Sequence, residues 1–279
     1  MTANKKKKQG LKFFLIILAS TVFAVLLHQV HRDPLMTLST KAKSIIITSG
    51  YFPPVAFASL AMAFCIMGLM FLAIQKTLHG AKQLKGALFG IAFGGMYLIG
   101  MIEVYVIYPV SLFGEFYTGI VDGSGILLMS LLLGKYMADD MPEKERLARP
   151  SFPAILIIPV IYVLMRYFSY IVLHIESSYS TRPLASFMWT AVMGCWGGIM
   201  YILVGRGIGD ENPLKQAMVF GGLVFGINWL IFNLFALLFI RVSVLDLLYR
   251  SIFDSLAIII GVYISSLISR KQVTPQGIK

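Results

Sequence analysis

Apolar runs long enough to cross a bilayer recur along nearly the whole chain, with short polar segments between them. At a minimum of about 18 mostly apolar residues per span, the pattern predicts helices at 11–30, 53–75, 84–109, 116–138, 152–175, 184–205, 214–240 and 247–269. The expected fold is an all-α polytopic membrane protein with eight transmembrane helices and no separate globular domain. The run at 13–27 follows a lysine-rich start and looks like a signal peptide. No small-residue cleavage site comes after it, and His28, His31 and Arg32 do, so it reads as an uncleaved first span.

The polar and apolar positions also repeat. LKGALFGIAFGGMYLIGMIE aligns without a gap on LKQAMVFGGLVFGINWLIFN, setting Leu84-Lys85 on Leu214-Lys215, Phe89 on Val219, Ile102 on Phe232 and Glu103 on Asn233. Each following helix carries an early aspartate, Asp122 or Asp254, and Phe57-Ala58-Ser59-Leu60 is similar to Leu184-Ala185-Ser186-Phe187. The pattern predicts two four-helix units, residues 1–137 and 152–279, joined by a polar linker at 138–151. With four spans each, both units start on the same side, which implies parallel repeats about an axis along the membrane normal. One departure is the loop at 30–52, much longer than its counterpart at 176–183.

Composition agrees with a lipid environment: 58% of residues are hydrophobic and 13% charged, against about a quarter charged in soluble domains. Mean hydropathy is +0.80. The net charge of +11 sits in short loops at alternate helix ends, with no basic helix face, so nucleic acid is excluded as a partner. Lys5, Lys6, Lys7, Lys8, Lys12, Lys76, Lys82, Lys85, Lys135, Lys144, Arg146, Arg149, Arg206, Lys215, Arg270, Lys271 and Lys279 fall on one side. Only Arg32, Lys41, Lys43, Arg182, Arg241 and Arg250 fall on the other. Because cytoplasmic loops retain Lys and Arg, both termini are expected in the cytoplasm, in a bacterial plasma membrane. Glycines at four-residue spacing, Gly86, Gly90 and Gly94, Gly119 and Gly123, Gly194 and Gly198, Gly222 and Gly226, predict close helix packing. Pro159 is expected to bend the fifth span below Arg166.

Ionisable side chains inside spans are costly and need partners or a cavity. Glu103 lies eighteen residues beyond Lys85, and Asn233 stands in the same relation to Lys215. At about 1.5 Å per residue both sit roughly 27 Å up their helices, near the outer edge of the hydrocarbon. Arg166 is about 21 Å from the inner end of its span, and Asp122 and Asp254 roughly 10 Å from the outer end of theirs. Glu103, Asp122, Arg166, Asn233, Arg250 and Asp254 are therefore the candidate substrate-binding set, converging on the outer third. Arg166 is expected to pair with Glu103 or Asp122, and Arg250 with Asp254 four residues on. Tyr97, Tyr105, Tyr108, Tyr117 and Tyr249 read as an interfacial aromatic belt.

Cys65 and Cys195 fall inside apolar runs and read as buried thiols. His28 and His174 each end the first span of a half, without acidic or thiolate company of metal-site spacing, and no cofactor is expected. No Walker loop, GxSxG elbow, HExxH or CxxC occurs. Three functions remain. The first is a transporter-like protein that binds or moves a small solute or lipid through a polar cavity in the outer half of the bilayer. The second is a non-catalytic subunit or assembly factor, whose linker and basic N-terminus meet a cytoplasmic or membrane protein partner. The third is an enzyme acting on a lipid-linked substrate at the extracytoplasmic face.

Overall fold

The computed structural model describes residues 3–30, 43–140, 152–205, 208 and 212–271. His31, Arg32, Lys41, Lys144, Arg146, Arg149, Arg206, Lys279 and most of the 138–151 linker lie outside the described residues.

Ten α-helices follow in order: α1 (Ala3–His28), α2 (Ile45–Thr48), α3 (Phe52–Ile74), α4 (Lys82–Ile107), α5 (Leu112–Met137), α6 (Phe152–Ile171), α7 (Pro183–Met200), α8 (Pro213–Ala217), α9 (Gly226–Phe239) and α10 (Val244–Lys271). A π-helical turn at Tyr201–Gly205 extends α7, and a longer π segment at Met218–Phe225 fuses α8 and α9 into one span. Among the described residues eight helical spans are long and apolar enough to cross a membrane, so the chain is a multi-pass integral membrane protein. The described residues contain no strand, only one isolated bridge between Lys43 and Ile240.

Local chemistry sets several boundaries. Ser111 opens α5 by accepting from the Gly114 amide, and Asn212 opens α8 by accepting from the Leu214 and Lys215 amides. Prolines stand in the first turns of α3, α7 and α8, where a missing N–H costs nothing. Several boundaries differ from the sequence expectation; α5, for one, opens at Leu112 instead of 116. The first helix starts near residue 3 instead of 11, because lysine and glutamine continue a helix readily and no breaker intervenes. The fifth span stops at Ile171, short of 175, and His174 follows it with a left-handed backbone of φ 54°. His174 therefore belongs to a loop and does not end the helix.

In the bundle α1 packs on α3 and α5, and α4 on α5; α6 packs on α7 and α10, and α9 on α10. In addition, α4 meets α7 and α3 meets α9. The α4–α7 contact is pinned by two indoles, with Trp189 Nε1 donating to the Ile99 carbonyl at 2.7 Å and Trp196 Nε1 to that of Ala92 at 2.9 Å. Asn228 of α9 reaches across to the Met70 sulfur of α3 at 2.9 Å.

The glycine spacing marks real backbone approaches. A Cβ on Gly86 would collide with the Ser130 carbonyl of α5, and one on Gly134 would lie 2.6 Å from the Lys82 carbonyl of α4. Gly94 and Gly123 face each other, each Cβ position 2.9 Å from the other's carbonyl oxygen. Gly194 and Gly198 seat α7 on Pro159 and Ala154 of α6. Gly222 is the exception: it has room for a Cβ, and its neighbour Gly221 makes the contact, 2.7 Å from the Ile259 amide nitrogen. The π segment shifts the register by a residue there, which four-residue spacing cannot anticipate.

At the lysine-rich end, the start of α4 and the end of α5 are tied through residues 139 and 140. Lys85, buried, donates to the Asp139 carbonyl at 3.1 Å, Gln75 accepts from the Asp139 amide at 2.9 Å, and Lys82 pairs with Asp140 at 2.5 Å. The functional candidates gather at the opposite end.

Candidate functional site

Two arginines and two carboxylates form a buried network there. Arg166 projects from α6 with its side chain 0% exposed. Its Nε donates to Asp254 Oδ1 at 2.8 Å and Nη2 to Asp254 Oδ2 at 2.5 Å, a two-point grip on α10. Its Nη1 donates to Glu103 Oε1 of α4 at 2.8 Å. Arg250 Nη1 of α10 donates to the same Glu103 oxygen at 2.5 Å, so one carboxylate serves two guanidiniums. Arg250 Nη2 donates to the Glu176 carbonyl at 2.6 Å and to Asp246 at 3.4 Å. Trp229 Nε1 of α9 donates to Asp254 Oδ2 at 2.7 Å. Aromatic faces surround the Arg166 guanidinium, with Trp189 at 4.8 Å and Tyr162 and Tyr170 each at 5.9 Å.

Charges this deep in an apolar bundle persist because each has an opposite partner and further hydrogen bonds, although the Arg250 Nε has none among the described residues. The network also fastens α4, α6, α9 and α10 to one another.

In front of it lies a cavity of about 530 Å³, walled by α1, α3, α4, α5, α9 and α10. Phe52, Phe57, Phe232, Phe235 and Phe239 make most of it apolar. Its polar wall holds Glu103, Asp122, Asn233, Arg250, His28 and Glu176. Of the six residues singled out from sequence, Glu103, Asp122, Asn233 and Arg250 thus line one space. Arg166 and Asp254 do not line it; they stand behind Glu103 and hold it.

Two expected pairings are corrected. Asp122 does not meet Arg166. Its Oδ1 instead accepts from His28 Nε2 at the end of α1, at 3.0 Å. Arg250 does not pair with Asp254 but turns toward Asp246, one turn the other way, and toward Glu103. Both errors concern rotation about a helix axis, since residues at i−4 and i+4 are equally near in sequence.

Tyrosines are also reassigned. Tyr97 is no belt residue: it is 4% exposed, edge-on to Phe232 at 5.0 Å, and its hydroxyl has no hydrogen-bond partner among the described residues. Tyr108, beyond the end of α4, donates to Glu176 Oε2 at 2.6 Å. Burial first, then that hydrogen bond, raises the Tyr108 phenol above its ordinary value, so it remains a donor at neutral pH. Tyr249 is exposed, as a belt position would be.

Sequence reasoning missed His28, Glu176, Asp246 and Trp229 as members of the site. A partial signal for His28 was present, since it ends the first span on the same side of the bundle as Asp122. Glu176 lies in a loop, where helix-rise arithmetic offers nothing.

The fold and its site thus define a class: an eight-helix integral membrane protein with a lipophilic cavity backed by a buried charge network. Beyond that class nothing narrows the identity, because comparison with protein-family models, curated proteins and solved structures finds no match.

Proposed function

We propose that this protein binds or moves a small amphipathic solute or a lipid through the cavity, in the manner of a transporter. The observation that carries the reading is the pairing of an apolar pocket of about 530 Å³ with a charged floor that neighbouring helices hold in place. Binding pockets for small molecules have this make-up, mostly apolar walls with a few fixed polar groups.

Ala56 lines the cavity from α3 and takes no part in the charge network. Ala56→Trp should fill the space while leaving the bundle folded. Native mass spectrometry of the wild type should reveal a copurifying lipid or small molecule that the variant lacks. Identical spectra for the two proteins, with both folded, would overturn the proposal.

On this reading the cavity opens to the exterior, and the lysine-rich end and both termini face the cytoplasm of a bacterial cell. The excess of Lys76, Lys82, Lys85 and Lys135 at the far end of the bundle supports that orientation. A fluorescent protein fused after Lys279 should glow, and alkaline phosphatase fused there should stay inactive; the reverse result would invert the topology.

The proposal also includes a duplicated origin. The first helix of each half supplies the partner of the aspartate on the fourth, His28 to Asp122 and Arg166 to Asp254. Glu103 and the aligned Asn233 look into one cavity from α4 and α9. The cross-contacts α4 with α7 and α3 with α9 exchange under the same operation. These correspondences support parallel repeats about an axis along the membrane normal.

A further inference from the structure

We infer that the cavity receives an ammonium group carried on an apolar body, with Asp122 as its counter-ion. This deepens the binding reading above and rests on it.

The charges that touch the cavity favour a cation. Glu103, Asp122 and Glu176 contribute carboxylates to its wall, against the single guanidinium of Arg250. That guanidinium is already engaged, with Nη1 on Glu103 and Nη2 on the Glu176 carbonyl and Asp246. Its remaining Nε is sealed from solvent. Arg166 is turned away onto Asp254 and Glu103. An incoming anion would therefore meet three carboxylates, with the Arg250 guanidinium already engaged and the His28 imidazole bound to Asp122.

A cation meets the opposite situation. Asp122 uses Oδ1 for His28, and Oδ2 has no hydrogen-bond partner among the described residues, although the side chain is 18% exposed. The buried Tyr97 lines the same cavity as Asp122, and its hydroxyl is unpartnered among the described residues. Asn233 spends its Nδ2 on the Trp229 carbonyl, which leaves its Oδ1 as an acceptor on the same wall. An ammonium brings up to three donors and no acceptor, which suits a wall of acceptors. The rings of Phe57, Phe232 and Phe235 would cover the attached chain and attract the positive end.

The ammonium could come from a soluble amphipathic amine or from the headgroup of an ethanolamine lipid. One experiment separates them. The full-length chain is placed in phosphatidylcholine nanodiscs at pH 7 and titrated calorimetrically with octylamine, octanol and octanoate, against empty nanodiscs. Octylamine should bind at least about tenfold more tightly than the other two, as expected for one charge-assisted contact. Asp122→Asn, matched to wild type in thermal midpoint, should bring octylamine down to the level of octanol and leave octanol unchanged. Octanol or octanoate binding as well as octylamine, or an amine preference that survives in Asp122→Asn, would overturn the ammonium assignment while the cavity remains a binding site. Failure of all three probes to bind beyond the blank would instead remove the binding reading beneath it. Adding phosphatidylethanolamine to the nanodiscs identifies the source: a raised apparent Kd for octylamine means that the headgroup occupies the site, and an unchanged one points to a soluble amine.

Discussion

Arg166→Met should destabilise the folded protein by about 3–5 kcal/mol, the usual cost of stripping one partner from a buried ion pair. The change leaves Asp254, 2% exposed at its side chain, with only the Trp229 indole as a donor. Glu103 suffers less, because Arg250 still holds it. A second substitution in the same protein, Asp254→Leu, should therefore recover much of the loss by removing the stranded charge. Recovery stays incomplete because Trp229 then loses its acceptor, worth about 1–3 kcal/mol when buried. Thermal midpoints of the two variants in detergent, read beside wild type, check both statements. A single variant as stable as wild type would mean that the guanidinium is not a structural clamp.

Gly86→Val should be the next most damaging change. The added atoms would push into the Ser130 carbonyl, which is main chain within α5 and cannot rotate aside. Overpacking of this kind costs about 1–3 kcal/mol, and the rigid neighbour places Gly86 at the upper end. Gly222→Ala, whose Cβ meets only the tip of Ile259 at 3.7 Å, is the matched control and should be nearly silent. Equal midpoints for the two variants would refute the packing argument.

These contrasts mark how far the sequence could be read. Span number and approximate limits follow from apolar length, because lipid offers the backbone no alternative hydrogen-bond partner. The common level along the bundle was legible for Glu103, Asn233, Asp122 and Asp254, since helix rise is constant. Azimuth was not. Whether Asp122 turns to α1 or α6, or Arg250 to Asp246 or Asp254, depends on helix rotation and crossing, to which a period of 3.6 residues is blind. The π segments in α7 and between α8 and α9 have no hydropathy signature, so the shift from Gly222 to Gly221 was invisible. Tyr97 was misread because tyrosine near a helix end fits both an interfacial belt and a cavity wall, and only packing against Phe232 separates them.

The order of the network's members along the chain bears on how the protein is made. Arg166 emerges from the ribosome 63 residues after Glu103 but 88 residues before Asp254. At synthesis rates of about 5–20 residues per second, α6 waits some 4–18 s for its tightest counter-charge. During that interval Glu103, already threaded into the bilayer on α4, is the only carboxylate of the finished network at hand. A nascent chain stopped before α10 would thus carry its arginine on one acid alone, which makes the last helix the step that seals biogenesis.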